Sequence, residues 1–285
     1  MYTPYRRAAQ LIVLALMFLV PVLNVHEIYA VTGTFYAINI GRLGIADPVV
    51  ILQAVFAAGE LTARLGAAAV FPVFLALMLG RVWCGWMCPY HLLSDWAVWI
   101  RRKFRALVRG KTEVEPLPVR KAFSANMSRY GFLLLGTAVA GAIGIPVLNY
   151  LSAPGILSTE AMILVKSRHL SIEFGFIGII WLLELTLLPR FWCRMFCPTG
   201  AFLGLFRGPF TLRINPGSVS PRNPCCKENH CSAACPMGLA PYREGHDLLC
   251  TNCGRCVDAC AHGRLRFAGF KGTDARGRTR QEQRS

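Results

Sequence analysis

Cys250, Cys253, Cys256 and Cys260 stand in the order C-x2-C-x2-C-x3-C, the thiolate spacing with which bacterial ferredoxins hold cubane [4Fe–4S] clusters. Three thiolates two residues apart can curl round one face of a cubane, and Gly254 inside the loop lets backbone amides approach the sulfurs. The fourth cysteine of such a run ordinarily reaches across to a second cluster. A structural zinc site is the competing reading, but zinc knuckles use separated pairs rather than one continuous triplet.

A second, altered run lies upstream. Cys225, Cys226, Cys231 and Cys235-Pro236 read C-C-x4-C-x3-C-P, with Glu228 where the middle cysteine is expected. Either Cys226 replaces the missing ligand, or a residue such as Glu228 or His230 serves. In the crossed pattern, Cys235 joins Cys250, Cys253 and Cys256 on one cluster, while Cys225, Cys226, Cys231 and Cys260 hold the other.

The remaining four cysteines belong to an internal repeat. Arg81-Val82-Trp83-Cys84 through Cys88-Pro89 matches Arg190-Phe191-Trp192-Cys193 through Cys197-Pro198 at one constant offset, with Arg, Trp, both Cys and Pro in register. Cysteines four apart share one face of a helical turn. Two such pairs brought together supply four thiolates, enough for a third cubane; a reversible dithiol and a structural role are the alternatives.

These thiols must be carried by a chain that is mostly apolar. Only 16% of its 285 residues are charged, yet its formal charge is +16 and its mean hydropathy +0.42. That combination points to a membrane protein whose basic loops face the cytoplasm; nucleic acid is disfavoured as a partner, because the charge lies beside apolar spans. Reduced metal-ligating thiols fit a cytoplasmic face better than disulfides do. Four spans are expected: Ala8–Val25, Leu65–Gly80 (extended by the uncharged 82–94), one within Tyr130–Thr159, and Phe174–Pro189. The apolar run Pro48–Gly59 is too short to cross and is expected against the membrane surface.

The expected class is therefore membrane α-helical, with a small C-terminal α+β ferredoxin-like domain for two clusters. Residues 1–129 and 130–212 form two-helix membrane units, 213–270 the ferredoxin-type domain, and 271–285 a disordered tail. Both termini are placed on the cytoplasmic side of a multi-pass protein. Glu184 within the fourth span, and His91 and Asp95 just after Cys88-Pro89, are candidates for proton handling. His26 and Glu27 read as ordinary interface residues; His246 and His262 flank the ferredoxin cysteines, where a histidine either tunes a cluster or is simply solvated.

Four spans, two W-C-x3-C-P units and a double ferredoxin motif resemble the NapH/MauN family of ferredoxin-type integral membrane proteins, a resemblance that includes the run Ala46-Asp47-Pro48-Val49-Val50-Ile51-Leu52-Gln53. The resemblance implies a bacterial cytoplasmic-membrane component, a quinol dehydrogenase subunit, that takes electrons from the quinone pool within the lipid. It passes them to a partner Fe–S or cytochrome protein, in periplasmic nitrate reduction or methylamine utilisation. The altered Cys225-Cys226 run departs from the pattern. A maturation factor for a periplasmic oxidoreductase is the reading from another class.

Overall fold

The structure is a computed structural model that describes residues 2–27, 31–34, 36–41, 43–59, 62–109, 120–208, 210–215, 230–241, 248–260, 263–269 and 273–274. Cys225, Cys226, Glu228, His246 and His262 lie outside the described residues. The first unit runs α1 (Tyr2–Val25), β1 (Val31–Thr34), β2 (Ala37–Ile40), β3 (Leu43–Ala46), α2 (Pro48–Ala58), α3 (Ala63–Leu79), a turn at Trp83–Met87, and α4 (Pro89–Arg109). The second runs α5 (Arg120–Ile143), α6 (Val147–Tyr150), α7 (Ala153–Ser167), α8 (Ile172–Thr186), α9 (Phe191–Met195) and α10 (Pro198–Leu205).

The repeat seen in the cysteine motifs extends back through the helix caps. Gly59 closes α2 in the left-handed conformation and Arg168 closes α7 in the same way, at the offset that separates the cysteine pairs. Thr62 and Ser171 cap α3 and α8 at that same offset, each hydroxyl accepting a backbone N–H bond. Each unit is thus a long helix, two shorter helices and a cysteine turn. Asp47 starts α2 by accepting the Val49 N–H at 2.9 Å, with Pro48 in the first turn, where its missing N–H costs nothing.

Two features differ from the sequence expectation. Residues 31–46 form an antiparallel meander, β1-β2-β3, whose four-residue strands are too short to leave a readable alternation. The third expected span is broken: α5 ends at Ile143, Gly144 takes φ 76°, and Pro146 precedes the single turn of α6. The chain then turns back, so that Ala153 and Ile156 of α7 pack with Cys88 and Cys197. α2 and α7 therefore both begin beside the repeat cysteines, since Asp47 also accepts the Thr199 hydroxyl at 2.8 Å.

The helical part exposes many apolar side chains and buries several charged ones within its apolar core. On α1, Arg6 and Gln10 are buried while Leu11, Ile12, Leu16 and Leu19 are exposed. Val70, Phe71 and Phe74 of α3, Leu134 and Leu135 of α5, and Ile179 and Leu182 of α8 are exposed too. Among the described residues α1 alone is long and apolar enough to cross a membrane by itself; α3 and the first ten residues of α2 are shorter apolar helices.

The C-terminal part is a three-stranded antiparallel sheet in the order β4 (Arg213–Asn215), β5 (Arg266–Gly269), β6 (Thr273–Asp274), with short helices α11 (His230–Ala234) and α12 (Arg255–Asp258). β6 lies past residue 270, within the segment expected to be a tail. This part is docked on the repeats through backbone. The Leu212 N–H donates to Met78 O at 2.8 Å, Asn252 Nδ2 to Leu79 O at 2.9 Å, and Trp86 Nε1 to Asn252 O at 3.0 Å. Gly85, between Cys84 and Trp86, permits this approach: a Cβ there would sit 2.6 Å from Thr251 O. Gly85→Val is accordingly expected to destabilise the docked state by about 1–3 kcal/mol, the usual cost of overpacking. The check is faster protease release of the C-terminal part, with the helical part left intact.

Candidate iron–sulfur and charge sites

All four repeat cysteines line one small cavity, Cys84 and Cys88 from the first unit and Cys193 and Cys197 from the second. Each pair sits in a wide turn closed by a bond from the second cysteine to the tryptophan before the first: Cys88 N to Trp83 O and Cys197 N to Trp192 O, both 3.0 Å. Pro89 and Pro198 then redirect the chain into α4 and α10. Such i→i+5 turns are rare and gather at functional sites. The Gly200 N–H points at Cys197 Sγ, 3.5 Å away.

A second cavity is lined by Cys235, Cys250, Cys253 and Cys256, the set that the crossed ferredoxin pattern groups together. Cys231 and Cys260 pack next to it with Cys256, Ile214 and Leu265. Gly254 and Asn252 adopt positive φ, 76° and 49°, which bends the loop round the thiols. Burial, helped by the neighbouring Cys253 and Cys250, pushes the Cys235 thiol up to about 12, and burial raises Cys250 as well. Thiols so placed give up their protons on binding a metal, which takes the proton's place.

The residues present fit [4Fe–4S] clusters. The thiols surround a space instead of converging on a point; among the described residues no three His, Cys, Asp or Glu side chains gather round a single-ion position. The Thr251 hydroxyl is buried with no partner among the described residues, in a residue lining both thiol cavities, where a sulfide could accept it. Arg6, Arg81, Arg129 and Arg190 are fully buried, cationic surroundings suited to an anionic thiolate-bound cluster. The beginnings of α2 and α7 add the positive ends of two helix dipoles.

Asp95, on α4, is the meeting point of these cations. Its carboxylate receives Arg6 at 3.2 Å, Arg7 at 3.0 Å and Arg255 at 2.7 Å, and also pairs with Arg190. His91 lies against the same group, with Arg6 Nη1 3.0 Å from its Nε2 and Arg190 Nη1 2.8 Å from its Nδ1. Glu184, on α8, makes other contacts: Ser94 donates to one oxygen at 2.5 Å, and the buried carboxylate also faces the Tyr90 hydroxyl and the backbone at Trp192. The structure thus joins His91 and Asp95 but not Glu184. His26 and Glu27 lie at the far end of α1, exposed. The arginine cluster escaped sequence reading; its only trace was Arg81 and Arg190 heading the two motifs.

A family profile described as a 4Fe-4S binding domain matches residues 62–106 and 169–215, so each matched stretch holds one C-x3-C-P unit. Similar proteins include the ferredoxin-type protein NapH of Haemophilus influenzae, 28% identical across 93% of this chain and 88% of that protein. The methylamine utilization ferredoxin-type protein MauN of Methylorubrum extorquens is 29% identical across 94% of this chain and 77% of its own. MauN of Paracoccus denitrificans is 32% identical across 69% of this chain and 63% of its own. Over most of its length the chain is thus similar to ferredoxin-type proteins of the NapH and MauN kinds. It is a ferredoxin-type 4Fe-4S protein. No solved structure matches it.

In a ferredoxin-type protein built this way, removing the Asp95 charge leaves buried guanidinium groups facing one another. Asp95→Asn is expected to cost about 3–5 kcal/mol, the usual penalty for breaking a buried ion pair from one side. A lowered melting temperature, not restored by added salt, is the measurement; unchanged melting would show that the ion-pair network carries little stability.

Proposed function

We propose that this chain is a membrane-embedded electron-transfer protein that draws electrons from quinol and carries them through three [4Fe–4S] sites to a partner redox protein of the iron–sulfur or cytochrome type. The observation that carries this reading is the sequence of shared walls. The repeat cavity and the Cys235–Cys256 cavity share Met237 and Thr251, and Cys256 in turn packs with Cys231 and Cys260. The sites form a row from the helical units into the C-terminal part. A [4Fe–4S] cluster, when bound, supplies one-electron redox chemistry. The chain's own part is to hold the thiols, exclude water and offset the negative charge with buried arginines.

In this reading α1, α3, α5 and α8 cross the membrane, with α2 and α7 entering only part-way. The exposed Leu, Ile and Phe side chains of the crossing helices face lipid. The basic residues Arg101–Lys121 and the cluster sites lie on the cytoplasmic side, with both termini. Glu184 remains the proposed proton-handling carboxylate within the helices. Asp95 and His91 hold the charge balance between the first and second sites. The names of the relatives suggest nitrate reduction or methylamine utilisation as the pathway served. Cys225 and Cys226 complete the third ligand set.

Counting iron and acid-labile sulfide in anaerobically purified protein tests the proposal. About twelve of each per chain is expected from three cubanes. Replacing Cys84 and Cys193 by serine should remove about four of each and leave the C-terminal clusters in place. Zinc without sulfide would overturn the reading.

A further inference from the structure

Between the β1–β3 meander and α3 lies a cavity of about 340 Å³, within the usual range for small-molecule sites. Its walls are almost wholly apolar, and its polar groups collect at one end, where Asp47 and Thr199 meet beside Tyr36. The Asp47 carboxylate is buried and accepts one bond at each oxygen, from the Val49 N–H at 2.9 Å and from the Thr199 hydroxyl at 2.8 Å. Each oxygen keeps a lone pair free. Tyr36 is 7% exposed, and its hydroxyl faces that of Thr199, whose proton is spent on Asp47, without a well-formed hydrogen bond among the described residues. A buried hydroxyl left unpaired is costly, so it points to a ligand that pairs with it.

The location narrows what that ligand is. At its polar end the cavity shares Tyr36, Trp83 and Thr199 with the cavity of the four repeat cysteines. On another side it reaches Phe71, half exposed on α3 among the apolar side chains Val70 and Phe74. A molecule that enters from lipid, has a flat apolar body, and carries a hydroxyl or carbonyl at its head satisfies both ends.

We propose that this cavity binds the head of a quinol or quinone, with Asp47 and Tyr36 as its hydrogen-bond partners: the carboxylate accepts from a quinol hydroxyl, and the tyrosine donates to the ring oxygen. The proposal rests on the quinol reading above and assigns it a place distinct from Glu184, whose carboxylate bonds to Ser94 elsewhere in the bundle. In sequence Tyr36 and Asp47 stand eleven residues apart with no motif joining them. The fold makes them one site.

The test uses the cluster-loaded protein in lipid nanodiscs and a photoreactive short-chain quinone, with labelled peptides mapped by mass spectrometry and binding followed by titration. Label is expected on the segments around Tyr36–Pro48 and Phe71–Trp83, displaced by unlabelled quinone. Tyr36→Phe and Asp47→Asn should each weaken binding about tenfold with iron content retained; asparagine keeps the cap to Val49. Ala76→Phe, which fills the cavity from α3, should abolish the label. Label mapping round Glu184, untouched by Ala76→Phe, would overturn the cavity and leave the quinol reading standing. Saturable binding of no quinone anywhere would overturn both. A cavity that retains phospholipid and yields no quinone label would identify an acyl-chain site instead and overturn the proposal.

Discussion

One buried carboxylate holds the parts of this protein together. Asp95 takes guanidinium groups from α1 through Arg6 and Arg7, from the second repeat through Arg190, and from the cysteine loop of the C-terminal part through Arg255. Three pieces of chain distant in sequence can dock only if this charge balance is complete, because each buried guanidinium is costly alone. The arrangement is asymmetric. Asp95 and Gly204 both stand seven residues after the second cysteine of their repeat. A Cβ at Gly204 would lie 3.3 Å from Arg129 Nη2 and 3.6 Å from Leu248 O, the carbonyl to which Arg81 donates. Where the first repeat supplies a carboxylate, the second leaves space for arginines.

That balance also places the thiols. Each motif arginine reaches into the opposite repeat: Arg190 to His91, three residues after Cys88, and Arg81 against Gly200, three after Cys197, where a Cβ would meet its Nη2 at 2.6 Å. The crossing draws two cysteine pairs into one cavity. Without it the repeat would be two separate dithiols on two helix ends.

Much of this was legible in the chain. Cysteine spacing announced the grouping of Cys235 with Cys250, Cys253 and Cys256, because ligand spacing is a local geometric demand. The repeated Arg, Trp, Cys and Pro gave the internal symmetry. What stayed hidden were relations across long separations. Nothing near Asp95 in sequence signals four arginines from elsewhere, and an arginine near the start of an apolar helix reads as a membrane-interface anchor, yet Arg6 is fully buried. The part-way helix α7 was hidden for a different reason: its residues share the composition of a span, and only the break at Gly144–Pro146 turns it back.

The central claim is that the thiol sites form one row, close enough for their occupants to sense each other. Electron paramagnetic resonance of the fully reduced protein tests it directly. The account predicts spectra broadened and split by magnetic coupling between neighbouring clusters, simplifying when the Cys84 and Cys193 thiols are removed. Spectra that are a plain sum of isolated clusters, unchanged in shape by that removal, would contradict it.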